Sequence, residues 1–123
     1  MSLNKLRDEA LRIAVEHGFK DASVPEDFAL MHSEISEALE DYREGKLPHE
    51  MTYVFRRGMN VIPMSGLHDG GEINKPCGIP SEMADVVIRV LHFCGKHGID
   101  IEKAVAEKMA YNESRPFKHG KII

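Results

Sequence analysis

With 123 residues the chain is long enough for one hydrophobic core and short for two. Sixteen Lys and Arg against twenty Asp and Glu leave a net charge of -4, which excludes a global basic field able to hold a long nucleic-acid backbone. A small anionic ligand would therefore need a local basic cluster or a metal ion.

No apolar run approaches the roughly 18 residues of a membrane span, and the charged, amphipathic start does not read as a signal peptide. Cys77 and Cys94 show neither CxxC nor another metal-like spacing, so neither a disulfide framework nor a zinc site is expected. These features predict one cytoplasmic domain over residues 1–123.

The first element is a helix over 3–17, where Leu3, Leu6, Ala10, Ile13 and Ala14 recur at spacings of three and four before Gly18. The second runs over 26–44, entered through Val24-Pro25 and stopped by Gly45. Its apolar stripe is Phe28, Met31, Ile35, Ala38, Leu39 and Tyr42. Residues 46–80 follow without helical periodicity and hold four of the six prolines. They read as an irregular insertion or lid between helices two and three. Thr52–Phe55 and Val61-Ile62 can form a small hairpin, and the glycine-rich stretch 66–78 is expected to move.

The third helix follows Pro80-Ser81, with Ser81 as its expected cap, and ends near Gly95 or Gly98. Its polar residues Glu82, Asp85, Arg89, His92 and Lys96 share a narrow arc, and the rest is apolar or small. A helix so apolar needs cover, which predicts a partner subunit. Asp100 caps a fourth helix that reaches Ser114 before Pro116, and Lys108 and Asn112 fall between Ile101 and Val105 on its apolar side. A lysine seldom points inward without a partner. The basic tail adds Arg115, Lys118, His119 and Lys121.

Glu34 and Glu37 stand three apart, as do Glu82 and Asp85, which places both carboxylates of a pair on nearly one side of a helix. If helices two and three pack antiparallel, the pairs converge on hard oxygen ligands suited to magnesium, since no histidine or cysteine belongs to the set. Either pair alone is common on solvated helices, and the wheel sets Glu37 almost opposite the apolar stripe. A di-iron oxidase is disfavoured because it needs Glu-x-x-His pairs, and the sequence has none.

Three stretches, 30–43, 75–91 and 98–121, carry a resemblance to the MazG-like all-α nucleoside triphosphate pyrophosphohydrolases. The shared marks are ExxE, then ExxD on the next long helix, then the ending K-x-x-x-N-x-x-R-P-x-x-H-G. This resemblance implies an all-α, four-helix bundle assembled as a homodimer or homotetramer, a house-cleaning hydrolase of nucleotide pools. It implies magnesium, or manganese in its place, held by Glu34, Glu37, Glu82 and Asp85. It further implies water attack at the α-phosphorus to release pyrophosphate, and Glu34 or Glu37 is the expected acceptor of the water proton. Lys108, Asn112, Arg115 and His119 are expected on the substrate. Residues 38–81 separate the two acidic pairs, a longer connection than the family usually has. The competing readings are a phosphoribosyl-ATP pyrophosphohydrolase and a non-catalytic helical interaction protein.

Overall fold

The computed structural model describes residues 2–19 and 22–120, the side chain of His119 excepted. Among them, four α-helices and a three-stranded antiparallel sheet occur in the order α1 (Leu3–Glu16), α2 (Val24–Arg43), β1 (Thr52–Arg57), β2 (Asn60–Met64), β3 (Lys75–Cys77), α3 (Ile79–Lys96) and α4 (Ile101–Ser114), closed by a 3-10 turn at Phe117–Gly120. The chain forms two compact units, one of residues 1–21 and 90–123 and one of residues 22–89.

The expectation of an all-α chain is overturned by the sheet, whose strand order is β2-β1-β3. The insertion expected to be irregular satisfies its backbone by strand pairing. Arg57 pairs with Asn60, so the hairpin closes through Gly58-Met59, with Gly58 at φ 62° taking the left-handed position such a two-residue turn demands. Tyr53 pairs with Met64 on one side and with Pro76 on the other. Pro63 and Pro76 lie on the two edge strands, where a missing N–H costs no ladder bond on the open side.

Within the 66–78 stretch, expected to be mobile, residues 66–74 are tied by hydrogen bonds from within. Asn74 is 1% exposed, and its Nδ2 donates to the carbonyls of Gly66 at 2.8 Å and Asp69 at 2.7 Å. Its backbone N–H reaches Leu67 O at 2.8 Å, while the Ser65 hydroxyl donates to Asp69 Oδ2 at 2.9 Å. Gly78, at φ 103°, admits the chain into α3; a Cβ there would meet Glu50 O at 2.5 Å. Both the backbone angle and the close approach require glycine.

Within the unit of residues 22–89, α2 begins in a capping box in which Ser23 Oγ accepts from Glu26 N and the Glu26 side chain accepts from Ser23 N. The helix thus starts before Pro25, which occupies its first turn. Ser81 does not cap α3: its hydroxyl donates to Pro76 O at 3.1 Å, and the helix has already begun at Ile79.

In the other unit, Ser2 caps α1 through Lys5 N, and Asp100 caps α4 through Lys103 N. Asn4 joins the two starts. Its N–H donates to Glu102 Oε1 at 2.8 Å, its Nδ2 donates to Asp100 Oδ1 at 3.0 Å, and its Oδ1 accepts from Glu102 N. Leu91 and Cys94 of α3 are each 4% exposed, and a Cβ on Gly95 would touch Leu11 of α1 at 3.0 Å. Cys77 and Cys94 are free thiols, and burial pushes the Cys94 thiol pKa up.

Candidate metal centre

The carboxylates of interest belong to the unit of residues 22–89 and come from α2 and α3. Glu34 meets Arg89, whereas Glu37 and Asp41, later on α2, meet Glu82, earlier on α3. That crossed order is what antiparallel neighbouring helices produce. One carboxylate oxygen from each of Glu34, Glu37 and Glu82 lies within 4.8 Å of the others, a spacing that a single divalent cation can bridge.

Glu34 is buried at 7% exposure, an unusual position for a carboxylate without a partner. Arg89 Nε supplies one, donating to Glu34 Oε1 at 2.7 Å. Glu37 is exposed and Glu82 half-buried. The Glu82 pKa is pushed up to about 7, chiefly by burial, then by its hydrogen bond to Glu37 and the negative charges of Glu37, Asp85 and Asp41. Its Oε2 is fully buried and receives no hydrogen bond.

Asp85, the fourth expected ligand, falls outside the close trio. It nevertheless shares their field: burial and then the charge of Glu34 raise its pKa, against the opposing pull of Arg89 and Lys75. Asp41 was not among the expected site residues. Lys46 Nζ donates to its Oδ1 at 3.0 Å, while its Oδ2 is buried without a donor. The signal for Asp41 was present in the spacing, because 34, 37 and 41 form one stripe on α2.

The donor set is therefore all oxygen, contributed by two facing helices, with buried lone pairs lacking donors. It suits a hard cation such as Mg²⁺ or Mn²⁺ better than zinc, which favours nitrogen and sulfur.

The expected substrate contacts Lys108, Asn112 and Arg115 lie in the other unit, in and just after α4. Lys108 does not point inward as its place on the apolar side suggested. It is exposed, with Nζ 5.4 Å from the centroid of the Tyr111 ring, and the Arg115 guanidinium stands 5.4 Å from the same ring. Because no residue of α4 is fully buried, no core position forces the lysine inward. The side chain of His119 and the residue Lys121 lie outside the described residues.

A separate cavity of about 320 Å³ lies against the sheet, lined by residues including Phe55, Arg57, Ile62 and Asn74, and it contains none of the acidic residues above from α2 and α3. Among the described residues, no helix is long and apolar enough to cross a membrane. No family model, curated protein or solved structure matches this chain.

Proposed function

We propose that the protein hydrolyses a nucleoside triphosphate to the monophosphate and pyrophosphate, with Mg²⁺, or Mn²⁺ in its place, held by Glu34, Glu37 and Glu82 and supported by Asp85. The observation that carries this reading is the meeting of three carboxylates from two helices within 4.8 Å, where they repel one another unless a cation or proton intervenes. The resemblance of the ExxE and ExxD pairs to the MazG-like enzymes supplies the reaction type.

A bound magnesium ion would neutralise phosphate charge and lower the pKa of an attacking water. The residues do the remaining work of positioning and proton transfer that phosphoryl hydrolysis requires. Glu34, whose Oε1 already accepts from Arg89, is the poorer base. Glu37 is exposed and in contact with Glu82, so it can accept the water proton as the oxygen attacks the α-phosphorus. The bond to the bridging oxygen breaks, and pyrophosphate leaves with that oxygen.

A second copy of the chain is part of this reading. α2 buries only Glu34 and Ala38, and it leaves Ile35 at 52%, Leu39 at 49% and Tyr42 at 62% exposure. On α3, Val87 and Ile88 are similarly open at 51% and 50%. Apolar helix faces of this kind are stable in water when a symmetric partner covers them.

The test is pyrophosphate release across ordinary and damaged deoxynucleoside triphosphates, with and without Mg²⁺, repeated for Glu82→Gln. Turnover should need the metal and fall at least about a hundredfold in the variant, the usual scale for losing an electrostatic group from a reacting centre. Near-normal turnover in Glu82→Gln would refute the assignment.

A further inference from the structure

Arg89 has a place that the hydrolytic reading leaves unused. It lies four residues beyond Asp85 and seven beyond Glu82, on the same side of α3, so its side chain belongs to the acidic side of that helix. Its charge acts on Asp85, and its Nε is spent on Glu34 at 2.7 Å. The two ends of this ion pair differ in exposure: the Glu34 side chain is 9% accessible and that of Arg89 is 38%.

Resting on the function proposed above, we infer that Arg89 is a substrate-contacting residue that grips a polyphosphate with the terminal nitrogens of its partly exposed side chain while its Nε holds Glu34 in place. Guanidinium chemistry suits both tasks. The planar group can donate inward through Nε and outward through its terminal nitrogens, and the outer edge matches two phosphate oxygens in a way that an ammonium cannot. Without a metal, the guanidinium is the cation that compensates the buried Glu34 carboxylate. When a divalent cation shares Glu34, that compensation is supplied twice over. The cation also lowers the net negative charge of the carboxylates around Arg89, which reduces the repulsion a polyphosphate meets there, so metal and polyphosphate binding reinforce each other.

The experiment titrates Mn²⁺ into wild type and R89Q, then titrates inorganic tripolyphosphate into each at saturating Mn²⁺. In R89Q, Mn²⁺ affinity should stay equal or rise up to about threefold, because a competing positive charge is gone, while tripolyphosphate affinity falls at least about tenfold. R89K should recover only part of the tripolyphosphate affinity, since one ammonium cannot serve both partners. In steady state the R89Q defect should appear mainly in KM.

Unchanged tripolyphosphate affinity in R89Q, or collapse of Mn²⁺ binding, overturns the inference, the latter by reducing Arg89 to a support for Glu34. If R89Q does not fold, R89K decides: wild-type Mn²⁺ affinity with weakened tripolyphosphate binding upholds the inference, and wild-type affinity for both overturns it. Failure of both variants to fold assigns Arg89 to structure and equally overturns it. A wild-type protein that binds no Mn²⁺ removes the hydrolytic reading as well. One that binds Mn²⁺ and releases pyrophosphate while R89Q retains its tripolyphosphate affinity removes only this inference.

Discussion

Asp41 on α2 and Glu82 on α3 each keep one carboxylate oxygen buried without a hydrogen-bond donor, and the charge of Asp41 helps to raise the Glu82 pKa. Two such oxygens are costly in an uncharged surrounding. A proton relieves the cost at low pH, and under the proposed function a divalent cation would relieve it at neutral pH.

The first consequence is a pH dependence of stability in the metal-free protein. Glu82 ionises near its ordinary value of 4.5 when unfolded and at about 7 when folded, so between these values the folded state binds more protons. The stabilisation is complete below about pH 4.5 and disappears as pH rises through about 7. Thermal melts should therefore show a loss on the order of a few degrees from pH 5 to pH 8 from this group, on the usual scaling of small domains. Mn²⁺ should restore the loss at pH 8, and Glu82→Gln should flatten the slope. A melt independent of pH in both proteins would remove the buried-proton account.

Asp41 is expected to act on the same centre although it lies outside the ExxE pair. Asp41→Asn removes one of the charges that raise Glu82 and weakens the tie to Lys46 at 3.0 Å. Mn²⁺ affinity should fall about tenfold or more, the scale of supporting groups around a metal site. Metal-free stability at pH 8 should change less than it does for Glu82→Gln. Calorimetric titration measures the first and thermal melts the second; wild-type Mn²⁺ affinity would exclude Asp41 from the centre.

Asn74 holds the 65–74 connection by donating to two loop carbonyls at 1% exposure. Asn74→Ala should destabilise by about 1 kcal/mol in urea unfolding, since two part-buried carbonyls lose their donor. Asn74→Asp should be worse, because it sets a carboxylate against those same carbonyl oxygens. Equal stability of all three proteins would show the loop to be held by something else.

The exposed side of α2 gives a prediction about assembly. Ile35→Glu with Leu39→Glu places two charges on a face that is already about half open in the single chain. Sedimentation should shift from an oligomer in wild type to a monomer in the double variant, because burying two unpaired carboxylates at an interface is strongly unfavourable. A wild-type monomer at the same concentration sinks the proposal of a second copy.

The acidic pairing behind the candidate site was legible because its logic is local. The spacing of three in Glu34/Glu37 and Glu82/Asp85 puts two oxygens on one helical side whatever the helix packs against, and Asp100 before Ile101 marks a cap by its own chemistry. Asp41 was missed although it extends the same stripe, because nothing local distinguishes a solvated aspartate from one whose Oδ2 is buried. Arg89 was seen as part of a polar arc, but its pairing with Glu34 spans fifty-five positions of sequence.

What the residues determined by themselves, then, was the periodicity of the helices, the Asp100 cap and the pairing of acids along each helix, since these depend on neighbours within a turn. Tertiary structure decided the rest. The hairpin expected from Thr52–Phe55 and Val61-Ile62 forms as β1 and β2, but tertiary structure made it a sheet by adding β3, because partners such as Val54 and Lys75 lie far apart in the chain and β3 is only three residues long. Tertiary packing turned Glu34 inward beside Ala38 and left Ile35 open, because a helical wheel fixes the angles between side chains but not which arc meets a neighbouring helix.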